Sequence, residues 1–140
     1  MHFERMKFIE AFTETQIKEV HALYQNEWWT SKRTLEQTKQ CIYNSQISIG
    51  LVDNHDKITG FARVLSDYIF KALIFDVIVS SNFRSGGSGK DIMVYILNHS
   101  KLEKVQHFEL YCLEEMIPFY KKFGFTTNVS NVKLMRLLKE

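Results

Sequence analysis

Three of the chain's six glycines fall within four positions, at Gly86, Gly87 and Gly89, and they follow an almost unbroken apolar run, Ala72-Leu73-Ile74-Phe75-Asp76-Val77-Ile78-Val79. A run of that kind, broken only by one carboxylate, reads as a strand buried on both faces. Beyond the glycines, Ile92, Tyr95, Ile96 and His99 share one stripe of a helix. A tight loop of small residues feeding a helix N-terminus turns several backbone N–H groups toward one point, where the helix dipole adds positive potential. Such a place suits a phosphate or pyrophosphate. The missing Cβ of glycine lets an anion approach closely and permits positive φ. Arg84 and Lys90, at either end of the loop, are placed to add charge-assisted contacts. Taken alone, Gly-Gly-Ser-Gly reads better as a flexible connector. Its position between a buried strand and an amphipathic helix favours an anion site formed by Arg84, Ser85, Gly86, Gly87, Ser88, Gly89 and Lys90.

The remaining pattern describes one mixed α/β domain spanning residues 1–140, a usual length for a single domain. Lys7 to Phe12 has the apolar character of a first strand. Thr13 and Gln16 have capping-box spacing, and Ile17, Val20, His21 and Tyr24 then recur on one helical face. A second helix is expected over Lys32 to Tyr43, with Leu35, Thr38 and Ile42 inward. Ile47, Ile49 and Leu51 alternate, and the cluster Asp53-Asn54-His55-Asp56 separates them from Ile58 to Leu65, which makes a hairpin. Phe108, Leu110 and Cys112 alternate as a strand. Met116, Phe119, Tyr120 and Phe123 mark a helix with Gly124 as C-cap, and Val132 to Leu138 reads as a last strand. The expected order is β-α-α-β-β-β-α-β-α-β.

Composition removes several functions. A formal net charge of +2 weakens a nucleic-acid reading, because phosphate contacts demand clustered Lys and Arg. No apolar stretch approaches the length of a membrane span, and the charged start Met1 to Lys7 has no signal-peptide core. Cys41 and Cys112 make no disulfide framework, so a reducing cytoplasm is the expected compartment. Cys112, on its strand, reads as a small apolar residue rather than a nucleophile. The five histidines are scattered without metal-ligand spacing, so no metal is expected.

Two common phosphate loops do not fit. Gly89-Lys90-Asp91 lacks the hydroxyl that a P-loop places on magnesium, and the hairpin before the loop does not suit a dinucleotide fingerprint. The pattern Arg84-Ser85-Gly86-Gly87-Ser88-Gly89 resembles the Arg/Gln-x-x-Gly-x-Gly/Ala motif of the GCN5-related N-acetyltransferase (GNAT) superfamily. Gly60-Phe61-Ala62-Arg63-Val64, Asp76-Val77-Ile78-Val79 and Phe119-Tyr120-Lys121-Lys122-Phe123-Gly124-Phe125 extend the resemblance over most of the chain. The segment Trp28-Trp29 with Arg33 also looks like a bacterial subgroup of small GNAT proteins.

The resemblance implies a central mixed sheet that splays after its fourth strand, flanked by about four helices. It implies acetyl-CoA as co-substrate, with the pantetheine arm beside Val77, Ile78 and Val79 and the pyrophosphate on the amides of Arg84 to Lys90. The implied reaction is direct transfer of an acetyl group to a primary amine on a small molecule or peptide. A backbone N–H near Val77 to Val79 then holds the oxyanion, and Tyr120 is general acid toward the leaving thiolate. By spacing alone, Tyr120 reads better as one of four residues packing a helix stripe into the core; Phe123-Gly124-Phe125 beside it favours the general acid.

The base is less determined. Where many relatives carry a glutamate on the fourth strand, this chain has Leu73; where they carry an asparagine and an alanine near the cofactor, it has Leu113 and Met116. Asp76 is the nearest carboxylate, either a base re-aimed by a bulge or an anchor for neighbouring groups. Asp67 and Glu115 are weaker candidates. Trp28 and Trp29 form either an aromatic wall for the amine or plain packing at a helix corner. The missing glutamate and asparagine also suit a catalytically silent acyl-CoA-binding module, and the same loop could serve another phosphate ligand. The apolar Val132 to Leu138 segment leaves open a homodimer or a sheet edge within one chain.

Overall fold

The computed structural model describes residues 6–84 and 86–139; Ser85, one of the expected phosphate-loop residues, lies outside them. The chain forms β1 (Lys7–Ile9), α1 (Glu14–Gln25), α2 (Leu35–Asn44), β2 (Ile47–Val52), β3 (Ile58–Ser66), β4 (Lys71–Val79), α3 (Ser88–Leu97), β5 (His107–Leu110) and α4 (Ile117–Lys121). Both early helices begin on capping boxes. Thr13 accepts from the Gln16 amide while Gln16 reaches back to the Thr13 amide, and Thr34 and Gln37 repeat the arrangement. Threonine is a strong cap because its oxygen satisfies one of the free N–H groups of the first turn. The second helix therefore starts at Leu35, three residues later than the expected Lys32, after turns over Trp28–Lys32.

Five strands form one sheet in the order β1-β2-β3-β4-β5. The first three pairings are antiparallel and β4–β5 is parallel, which makes the sheet mixed. Helices α1 and α2 cover one face over Ile17, Val20, Tyr24, Ile42, Phe61 and Ile78. Helix α3 covers the other, where Ile92, Met93 and Ile96 pack on Ile49, Ala62, Val64 and Ile74.

Two departures from regularity sit on β4. Arg63 pairs with Phe75 but Phe61 pairs with Ile78, so β4 carries one residue more than β3 there. Asp76 lies at this bulge with φ +57°, a left-handed conformation that aspartate adopts more readily than most residues. Then β5 accompanies β4 only from Lys71 to Ile74. From Phe75 to Val79, β4 runs on without a partner on that side, where the sheet was expected to splay.

The C-terminal region differs from expectation. Val132 to Leu138 is no strand: it pairs with nothing among the described residues and leaves Met135 and Leu137 about nine-tenths exposed. Alternating apolar residues make a strand only when a ladder satisfies their backbone, and none is formed here. The strand before it ends at Leu110, so Cys112 is exposed rather than a buried strand residue. Helix α4 is a single short element, with Pro118 in its first turn, where a missing N–H costs nothing. Gly124 follows at φ +97°.

Candidate active site

The elements that converge on the end of β4 are the Ser80–Gly87 loop, the start of α3, α4, and the turn segment after α1. Each is positioned by a local device. Ser80 donates its amide to Thr59 O at 2.8 Å, which ties the loop to β3. A 3-10 turn over Ser81–Phe83 follows, and Gly86 N donates to Phe83 O at 3.2 Å. Gly87 is the N-cap of α3 and stands at φ +82°. Lacking a side chain, it caps nothing, and the first helical bond runs from Asp91 N to Gly87 O at 3.0 Å. The amides of Ser88, Gly89 and Lys90 have no partner among the described residues. They are the donors of an uncapped helix start.

The three glycines are not equivalent. A Cβ on Gly87 would meet nothing within 4 Å, so glycine is there for its positive φ. A Cβ on Gly89 would stand 3.4 Å from Phe119 Cζ, an ordinary packing distance that shows α4 lying directly on the start of α3. Gly86 has neither requirement beyond a 3.5 Å neighbour in Phe83 O. The Arg84 side chain, expected on the phosphate, is engaged elsewhere: Nε donates to Val79 O at 3.1 Å and Nη2 pairs with Glu27 of the segment after α1. Lys90 is exposed beside the loop.

Through the Gly89–Phe119 contact, α4 carries Tyr120 to the same corner. Tyr120 is 9% exposed and packs edge-on to Phe119 at 5.0 Å between ring centroids. Its hydroxyl makes no hydrogen bond among the described residues. Burial first, and then the neighbouring Cys112, push its pKa up to about 12, so the phenol keeps its proton at neutral pH. Val77 and Val79 pack toward α3 on the same face as Tyr120, whereas Ile78 is buried under α1.

On the opposite flank of β4, Asp76 is the centre of a side-chain network. Its Oδ2 accepts from Tyr24 Oη at 2.9 Å, Arg33 Nη1 at 2.6 Å and Arg63 Nε at 2.7 Å. Burial alone would raise the Asp76 pKa, but the two guanidiniums outweigh it and hold the carboxyl below its ordinary range. Burial, and then Asp76, push the Tyr24 phenol upward. The guanidiniums are fixed from a second side by aromatic rings: Arg33 Cζ lies 4.6 Å from the centroid of Tyr24, and Arg63 Cζ 5.0 Å from that of Phe75. The bulge thus aims Asp76 at α1, and its three donors favour the anchoring role over that of a base. Asp67 is also engaged, accepting from the amides of Ile69, Phe70 and Lys71, which depress its pKa.

Trp28 is 75% exposed and Trp29 43% exposed, which removes the packing alternative for Trp28. They do not touch the Asp76 network through any hydrogen bond. The sequence reading missed Tyr24, Arg33 and Arg63 as site residues. The available signal was Asp76 itself, since a carboxylate inside an apolar run needs donors to be buried, and Arg63 is the cation on the adjacent strand.

A larger groove of about 750 Å³ lies elsewhere, between β1 and α3, where Glu10 accepts from Tyr95 and His99. None of the expected site residues lines it. A small cleft of about 200 Å³ sits beside the loop, between Leu23, Glu27, Ile78 and Arg84. Among the described residues no group of three or more potential ligands could hold a metal ion, and no helix is long and apolar enough to cross a membrane.

Comparison with known proteins places this mixed sheet, with its glycine-started helix beside the unpaired end of β4, in one family. Residues 44–127 match the family model of the acetyltransferase (GNAT) domain. The chain belongs to the GNAT acetyltransferase family. It is 34% identical over 107 residues to the uncharacterised N-acetyltransferase ycf52 of Pyropia yezoensis, a match over 74% of this chain and 62% of that protein. It is 30% identical over 81 residues to GCN5-related N-acetyltransferase 1, chloroplastic, of Arabidopsis thaliana, covering 58% of this chain and 41% of that one. The chain therefore spans less than two thirds of the length of these relatives. A GNAT-family protein from Xanthomonas campestris pv. campestris superimposes with a TM-score of 0.84 at 24% identity, over 96% of this chain and 94% of that one, which shows the fold.

Proposed function

We propose that the chain is an N-acetyltransferase that moves an acetyl group from acetyl-CoA directly to a primary amine. The observation that carries this reading is the cluster of amides at Ser88, Gly89 and Lys90, without partners among the described residues, where β4 outruns β5 and beside Tyr120. The donor set fits a pyrophosphate: three N–H groups, a helix dipole, and glycine where a side chain would strain the loop. The gap beyond Ile74 and Leu110 leaves the Val77–Val79 edge of β4 without a strand neighbour on that side, the place this reading gives the pantetheine arm.

In the reaction, the amine lone pair attacks the thioester carbonyl carbon, a C–N bond forms, and the C–S bond breaks. Tyr120 is suited to give its proton to the departing thiolate, since a phenol with a pKa raised to about 12 is protonated throughout the working range, and the proton that the newly acetylated nitrogen loses returns to it through water. With Asp76 held by two arginines and Asp67 by three amides, the ammonium proton leaves through water rather than to either carboxylate. Leu73 and Leu113, in place of the family's polar residues, support a second reading in which the chain binds acyl-CoA without turning it over.

The acceptor is a small molecule or a peptide, and Trp28 and Trp29 are candidates to line its approach. The exposed Val132, Leu134, Met135, Leu137 and Leu138 support association with a second copy. Free Cys41 and Cys112 support a reducing compartment such as the cytoplasm; one relative's name places that relative in the chloroplast. The test is release of free thiol from acetyl-CoA in the presence of a panel of primary amines. Amine-dependent release supports the enzyme. Binding of acetyl-CoA with no release for any amine selects the silent module.

A further inference from the structure

We propose that Arg33 and Arg63 bind an anionic group on the acceptor, so that the amine acetylated here carries a carboxylate or a phosphate. This rests on the acetyltransferase reading and names its substrate class. Two guanidiniums face one carboxylate, and Tyr24 is a neutral phenol, so the network holds one surplus positive charge. Each guanidinium gives one N–H to Asp76 Oδ2, and no other acceptor takes a side-chain donor of either arginine among the described residues. The remaining N–H edges are not sealed: the side chains of Arg33 and Arg63 are 28% and 15% exposed, against 4% for Asp76.

They open beside an incompletely covered part of the sheet. Leu65, Leu73 and Phe75 are only half-buried on the α1 and α2 face, and Tyr111 stands edge-on to Phe75 at 5.7 Å. An apolar floor with a planar cationic fork at its rim is the arrangement that recognises a small amphipathic anion. Asp76 and the rings of Tyr24 and Phe75 fix the forks in advance, which lowers the cost of ordering them on binding. The same arginines would repel polyamines.

The experiment measures kcat/KM for matched acceptors: amino carboxylates, aminoalkyl phosphates, their uncharged amide or alcohol isosteres, and polyamines. At least a tenfold preference for one anionic class over its uncharged isostere is expected. Arg33→Gln should reduce that preference to under threefold, and Arg33→Lys should restore part of it. Because the readout is a ratio between two substrates, a general loss of activity or fold does not imitate it. Should Arg33→Gln fail to fold, the preference of the unaltered chain decides. Equal or better use of uncharged or cationic amines overturns the inference, as does a preference that survives Arg33→Gln. Absence of transfer to every amine, with or without charge, overturns the acetyltransferase reading itself and is distinguishable from both.

Discussion

The two flanks of β4 hold charge by different means. On the α3 side, the donors are backbone amides presented by a loop of consecutive residues, and glycine is needed for backbone geometry. On the α1 side, the groups are side chains from three elements and the α1–α2 connection, Tyr24, Arg63, Asp76 and Arg33, brought together only by the fold. The first arrangement has almost no side chain to lose. The second loses its balance if any one member is removed. Under the proposed function, one bulged strand serves a generic site, suited to a cofactor fragment, and a particular one, suited to selecting an acceptor.

The largest effect is expected at the particular site. Asp76→Asn leaves two half-buried guanidiniums without a counter-charge, and we expect a loss of about 3 kcal/mol in urea unfolding, at the low end for a broken buried pair because both arginines retain solvent. The same variant should flatten the acid limb of stability. A carboxyl whose pKa is depressed by folding contributes its stability above the unfolded value, near 4, and loses it as pH falls through the lower folded value. The wild type should therefore lose stability below about pH 4 in a step that Asp76→Asn lacks. An unchanged acid limb would show the network to be unimportant for folding.

Next in size is Tyr120→Phe. Removing a general acid should lower kcat by about a hundredfold, with KM for acetyl-CoA changed less than threefold. Because the phenol titrates near 12, kcat of the wild type should show no decline attributable to Tyr120 up to about pH 10. Equal turnover by the variant would remove Tyr120 from the reaction and leave it a core residue.

The glycine loop sharpens the contrast further. Gly87→Ala forces a side chain into φ +82° and should cost about 1–2 kcal/mol, together with a loss of acetyl-CoA affinity as the amides of α3 turn away. Gly86→Ala, with no positive φ and no contact under 3.5 Å, should change stability and affinity least of all. If the two substitutions behave alike, the loop's conformation does not matter to the site.

The same contrast explains what could be read from the chain beforehand. The loop, the capping box at Thr13 and the hairpin between β2 and β3 are local: residues within a few positions determine them. The splay after the fourth strand followed from family resemblance rather than from any residue pattern. The Asp76 network spans residues separated by up to 52 positions, and its one local trace was a carboxylate in an apolar run. The bulge that aims it has no signal in the alternation of β4, because an inserted residue leaves both neighbouring stretches regular. Val132 to Leu138 misled in the opposite sense: its alternation is strand-like, but a strand also needs an edge to join, which composition does not reveal.

The most direct test is the thermal stability of the chain with acetyl-CoA. At a ligand concentration of a hundred times Kd, binding to the folded state adds about 2.7 kcal/mol. A clear rise in Tm with acetyl-CoA and with CoA, little with ATP or NAD, and a reduced rise in Gly87→Ala is the predicted result. No rise with millimolar acetyl-CoA or CoA would contradict the assignment of the β4–α3 corner to this cofactor.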